Sequence, residues 1–120
     1  MTDKEVIEDF AKRMVKFWDK YQVGAFDCPS LDIYFKDRSY LKFFIFGKVI
    51  AGIPMPTFCT AYADERYSME FPSLAPALNK GTLKSMIKFE LQHMVSKGID
   101  LNKEIDYIGE VKPFDYPGKV

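Results

Sequence analysis

A chain of 120 residues, 48% apolar and 16% aromatic, is long enough for one buried core and shows no linker that would divide it, so a single domain over 1–120 is expected. Its 17 basic residues balance 17 acidic ones, so no overall field draws it to nucleic acid or anionic lipid. Two cysteines, Cys28 and Cys59, are too few for a disulfide scaffold, and with the single histidine, His93, they form no recognisable metal set; no metal or cofactor is expected.

The N-terminal run MTDKEVIEDFAKR is charged from the start and lacks the apolar segment of a secretory signal. Together with the sparse cysteines, it points to a cytoplasmic protein. Residues 3–21 read as a helix. Thr2 and Glu5 have capping-box spacing, and Glu8–Lys12 and Asp9–Arg13 are i,i+4 pairs of favourable order. The apolar set, which includes Val6, Phe10, Met14, Phe17, Trp18 and Tyr21, spreads over about half of the wheel, whereas packing on one surface needs an arc of about 100°. The surplus edge, with Val6, Phe17 and Tyr21, is a candidate contact surface.

Gly24 suits a left-handed helix end, and Pro29 restrains Cys28 to an extended conformation. Leu31, Ile33 and Phe35 alternate with Asp32, Tyr34 and Lys36, the period of a strand, and residues 36–39 read as a turn. From Tyr40 to Ala63 the only charges are Lys42 and Lys48. A bilayer span is disfavoured there, because Lys48 would lie at depth and Gly47, Gly52, Pro54 and Pro56 would break the helix. Strands fit better: 40–46, a tight turn with Gly47 first, a return over 49–53, and another strand over 57–63. Pro54 and Pro56 either stop the pairing or mark an edge. Met69 and Phe71 then point one way with Tyr67 in a short strand, followed by an irregular crossing to Gly81.

A second helix is expected from Thr82, as its N-cap, to Lys97, with Leu83, Ile87, Leu91 and Met94 toward the core and Gly98 just past its end. A last strand falls around 105–108, and from about residue 112 the chain reads as an irregular tail. The fold class is α+β: a helix, an antiparallel meander of four to five strands, a second helix and a short C-terminal strand, with both helices on one face of the sheet.

Chemistry-bearing residues are few. Glu90 lies inside the apolar arc of the second helix, where burial would raise its pKa, and His93 is three residues on, the spacing of an acid–base pair. Cys28 with His93 would make a thiol–imidazole pair if the fold joined them. No local signature of either chemistry surrounds these residues, and no phosphate loop, dinucleotide fingerprint or nucleophile elbow is present. Lys80, Lys84 and Lys88 make a basic stripe that could act with stacking rings Tyr34, Tyr40 and Phe44 on nucleic acid, but the balanced charge and the missing Gly–aromatic consensus weigh against it.

The favoured reading is a non-enzymatic protein-binding module (inhibitor, immunity-type, chaperone-like or adaptor). Its partner would be another protein or a second copy, met through Phe17, Tyr21, Phe89, Phe114 and Tyr116. The alternative is a small-ligand domain with an aromatic pocket between helices and sheet, lined by Tyr34, Phe44 and Tyr62 with Glu90 and His93 as its polar groups.

Overall fold

A computed structural model describes residues 1–21, 28–66, 68–73 and 80–112. Its first element, α1 (Asp3–Tyr21), starts where the capping box places it. The Thr2 backbone N–H donates to Glu5 Oε1 at 3.0 Å, and the Glu5 N–H donates back to Thr2 Oγ1 at 3.2 Å. Arg13 reaches Asp9 at 3.0 Å one turn away. Four antiparallel strands follow as a meander, β1 (Ser30–Phe35), β2 (Tyr40–Ile50), β3 (Ile53–Ala63) and β4 (Ser68–Pro72), then α2 (Lys80–Ser96) and β5 (Ile105–Val111). The chain crosses the whole sheet between β4 and β5, giving the order β4-β3-β2-β1-β5 with β2 in the middle.

Both helices lie on one face. Leu31, Ile33, Phe35, Leu41, Phe43, Ile45 and Phe58 are buried against them together with Phe10, Met14, Leu83, Ile87, Leu91 and Met94. α1 packs on α2 as well as on the sheet, and this double contact accounts for its wide apolar arc. Phe17 is therefore interior, 1% exposed, with its ring edge-on to Phe43 at 6.2 Å. The expectation that it offers a contact surface is overturned, because two neighbours rather than one cover that side of the helix.

Between the helices, Glu8 accepts hydrogen bonds from Lys84 and from Lys88, the latter at 3.0 Å, rather than pairing with Lys12. Lys84 first and then Lys88 hold its carboxyl down to about 2. A carboxyl depressed in this way stabilises the fold above the ordinary carboxylate range and ceases to do so as pH falls toward 2. Two of the three lysines in the supposed phosphate stripe are thus spent on joining helix to helix; the side chain of Lys80 lies outside the described residues.

Three boundaries differ from the sequence reading. α2 begins at Lys80, which puts Thr82 within its first turn rather than at its cap. Its C-terminus closes as expected: Gly98 has φ of 93°, its N–H donates to Val95 O at 3.0 Å, and the Ile99 N–H donates to Met94 O at 3.2 Å. β5 runs on to Val111. The turn expected at Gly47 is absent: β2 continues to Ile50, and the hairpin turns at Ala51 and Gly52, with φ of 51° and 77°.

Pairing runs through the prolines, Val49 opposite Pro54 and Gly47 opposite Pro56. Two residues apart, both prolines turn their nitrogens to the same side. β4 pairs with β3 only from Cys59 onward, so this stretch is an edge and loses no ladder bond there. Positive φ at both central positions defines a type I′ turn, for which alanine is a poor first residue. Ala51→Asn is expected to raise stability by about 0.5–1 kcal/mol, read from urea unfolding. An unchanged midpoint would show that the turn carries no strain.

Candidate functional site

The sheet face turned away from the helices carries the most unusual residue set. Register fixes its layout in three rows that run across the strands. One row reads Ser68, Ala63, Tyr40, Tyr34, Tyr107; the middle row reads Glu70, Ala61, Lys42, Asp32, Gly109; the third reads Pro72, Cys59, Phe44, Ser30, Val111. No helix or strand among the described residues lies over this face, and in that sense it is uncovered; Ser30, Asp32, Thr57, Cys59 and Ala61 on it are nonetheless buried.

The tyrosine row is a wall. Tyr34 stacks on Tyr107 with centroids 4.5 Å apart and 17° between planes, and it leans on Tyr40 at 5.9 Å. Burial, then the charge of Asp32 and then Tyr107, raise the Tyr34 pKa. On the other side of the middle row, Phe44 packs on Phe46 at 5.9 Å. Between these walls is a cavity of about 370 Å³. Ala61 lies beneath it, with Tyr40, Lys42 and Phe44 around it, Glu70 at the β4 end, and Ser30 and Cys28 at the β1 end. Cys28 is exposed and has φ of 48°, a left-handed conformation rather than the extended one expected before Pro29.

The electrostatics of the middle row are unbalanced. Asp32 is 5% exposed, and its Oδ1 accepts no hydrogen bond; Lys42 Nζ stands 3.9 Å from it, too far for one. Lys42 itself is 36% exposed at its side chain and passes 5.9 Å from the Tyr40 ring centroid. Glu70 is exposed, and no ion pair among the described residues reaches it.

The residues expected to line a pocket between helices and sheet are not brought together. Tyr34 and Phe44 belong to the uncovered face, whereas Tyr62 is a core residue, 4% exposed, and His93 packs edge-on to Phe71 at 4.9 Å in the helix layer. The sheet divides the two groups, because residues of odd and even register point to opposite faces. Glu90 behaves as its place on the wheel implies: burial raises its pKa, which the charge of His93 opposes, and no hydrogen bond joins the two. Burial, and then Glu70, push the Cys59 thiol up to about 11, which keeps it protonated and unreactive at neutral pH. Cys28 lies at the uncovered face and His93 in the opposite layer.

Of the expected contact residues, Phe89 is 64% exposed on α2. Tyr21 is half-buried, its ring 4.8 Å from Phe17 and its hydroxyl donating to Glu110 Oε2 at 3.3 Å. Phe114 and Tyr116, with the rest of the expected tail from Pro113 onward, lie outside the described residues. Sequence reasoning missed Asp32, Lys42 and Glu70 as a set, since only strand register brings them into one row. It also missed the hairpin tip, where Val49 is 65% and Ile53 62% exposed.

No described helix is long and apolar enough to cross a membrane, and no group of three or more ligating side chains suited to a metal occurs among the described residues. Comparison with protein-family models, curated proteins and solved structures found no match to any of them.

Proposed function

We propose that the chain is a non-enzymatic protein-binding module, an inhibitor, immunity-type, chaperone-like or adaptor protein, that works through the uncovered face of its sheet rather than through the edge of α1. The observation that carries this reading is the apolar continuity of that face. It runs from Tyr107, 55% exposed, past Tyr34, Tyr40, Phe44 and Phe46 to Ile50 and Ile53 at the hairpin tip. The two ends of this run, Tyr107 and Ile53, are exposed and the rings between them are half-buried; tyrosine and phenylalanine are the residues that protein interfaces favour. Nucleic acid suits the face poorly, because Lys84 and Lys88 are engaged by Glu8 in the other layer. The partner is another protein, with a second copy of this chain as the variant of the same reading. An exposed Cys28 outside any disulfide supports a reducing compartment such as the cytoplasm.

Native mass spectrometry of gently purified protein tests this. A protein partner in fixed ratio is expected, lost from a Tyr107→Ser, Ile53→Ser double variant and kept by Phe89→Ser. A partner kept by the double variant would move the interface elsewhere, and a bare chain in every preparation would remove the reading.

A further inference from the structure

The middle row of the uncovered face has a charge order that one class of small molecule matches. From β4 to β1 it runs acidic, small, basic, acidic: Glu70, Ala61, Lys42, Asp32. A lone anion at Lys42 would meet two carboxylates, and a lone cation at Glu70 would meet the ammonium of Lys42. A ligand that carries both charges meets neither penalty. Lys42 is held electrostatically by Asp32 at 3.9 Å but does not satisfy it, so the ammonium keeps donors for a second acceptor.

The relief of the face supports a site as well. Ala61 keeps the floor low, and Gly109, beside Asp32 in the same row, is not demanded by the backbone. Its φ is not in the left-handed region, and a Cβ there would meet only Tyr107 Cε2 at an ordinary 3.7 Å. A glycine that neither conformation nor packing requires, within a strand, is the kind that marks close approach of another molecule.

We propose that the cavity of about 370 Å³ binds a free α-amino acid with an apolar or aromatic side chain. Its carboxylate sits on Lys42, its ammonium on Glu70, and its side chain against Tyr40 and Phe44. Asp32, 3.9 Å from the Lys42 ammonium, is a positioning residue that keeps it aimed. The site is independent of the protein-binding reading, since it needs no macromolecular partner.

The test is an amide-shift titration of the intact chain with L-phenylalanine, N-acetyl-L-phenylalanine and phenethylamine. Saturable shifts at Lys42, Phe44 and Ala61 are expected with L-phenylalanine. Each blocked analogue, lacking one charge, should bind at least about tenfold more weakly. Glu70→Gln, at an exposed position that the fold tolerates, should weaken L-phenylalanine by a similar factor while leaving N-acetyl-L-phenylalanine unchanged. Lys42→Gln should weaken L-phenylalanine and N-acetyl-L-phenylalanine and spare phenethylamine. Equal binding of the blocked analogues would overturn the proposal, as would the absence of saturable shifts at about 10 mM from L-phenylalanine and L-leucine alike.

Discussion

Phe17→Ala is expected to cost about 3–5 kcal/mol of stability, the range for truncating a fully buried ring. The residue is 1% exposed and touches rings on two sides, Phe43 edge-on at 6.2 Å and Tyr21 tilted at 4.8 Å. Alanine would leave a cavity at the meeting of α1 with β2, where close packing limits collapse. Since a domain of this kind has a total stability of about 5–15 kcal/mol, the variant would sit close to its unfolding threshold. Urea unfolding measures the loss. Partner binding, corrected for the folded fraction, should be unchanged. A loss under about 1 kcal/mol would return Phe17 to the surface.

The same residue shows where a helical wheel stops being informative. Residues 3–21 declare a helix through the capping box and the period, and both are local. A wide apolar arc has two causes that look alike in sequence, a second internal neighbour or an exposed edge. Here the neighbour is α2, which joins α1 through Glu8, Lys84 and Lys88, the Glu8–Lys84 contact spanning 76 residues. The hairpin behaves similarly. Gly47 followed by Lys48 is a respectable local turn signal, yet turning at Ala51 and Gly52 lets β2 and β3 each pair over 11 residues and sets Leu41, Phe43 and Ile45 beside Tyr62, Thr60 and Phe58. A longer ladder with a buried face outweighs a turn preference worth about 1 kcal/mol.

For the candidate site the limit is sharper. Alternation in β1 puts Asp32 on the same face as Tyr34, and alternation in β2 puts Lys42 between Tyr40 and Phe44, so each strand's contribution was legible. That Glu70, Lys42 and Asp32 form one row was not, because three separate strand registers determine it and no residue nearby in sequence encodes them. Burial raises the pKa of Glu90, flagged by its place on the wheel, but Tyr34 and Phe44, expected to share a pocket with it, lie on the other face of the sheet. The chain thus spreads its aromatic residues over both faces of the sheet, one of them closed by the helices.

Lys103→Met should lower stability by about 2 kcal/mol, through lost charged hydrogen bonds and cation–π contact rather than through lost volume. Lys103 ties the segment between α2 and β5 to the β1–β2 turn and to β3. Its ammonium donates to Asp37 Oδ2 at 2.8 Å, to Tyr62 Oη at 3.0 Å and to Ser39 Oγ. It also lies 4.7 Å from the Phe35 ring centroid and 5.0 Å from that of Tyr62. With 16% of the side chain exposed, burial pulls its pKa down, but Asp37 and Tyr62 outweigh this and the net shift is upward. Asp37 remains 53% exposed, so water can take over its solvation in the variant. The loss should therefore stay below the 3–5 kcal/mol of a stranded buried charge.

The pH dependence identifies the source. Lys103 first, and then Ser39, lower the Asp37 carboxyl to about 2 from an ordinary 3.8. A depressed carboxyl contributes stability above its unfolded value and loses it as pH falls toward the folded one. The gap in melting temperature between wild type and Lys103→Met should accordingly be widest at neutral pH and narrow between pH 3.8 and 2, where Asp37 becomes neutral in both proteins. A gap that stays constant down to the lower limit would assign the stabilisation to the Phe35 and Tyr62 rings instead of the ion pair.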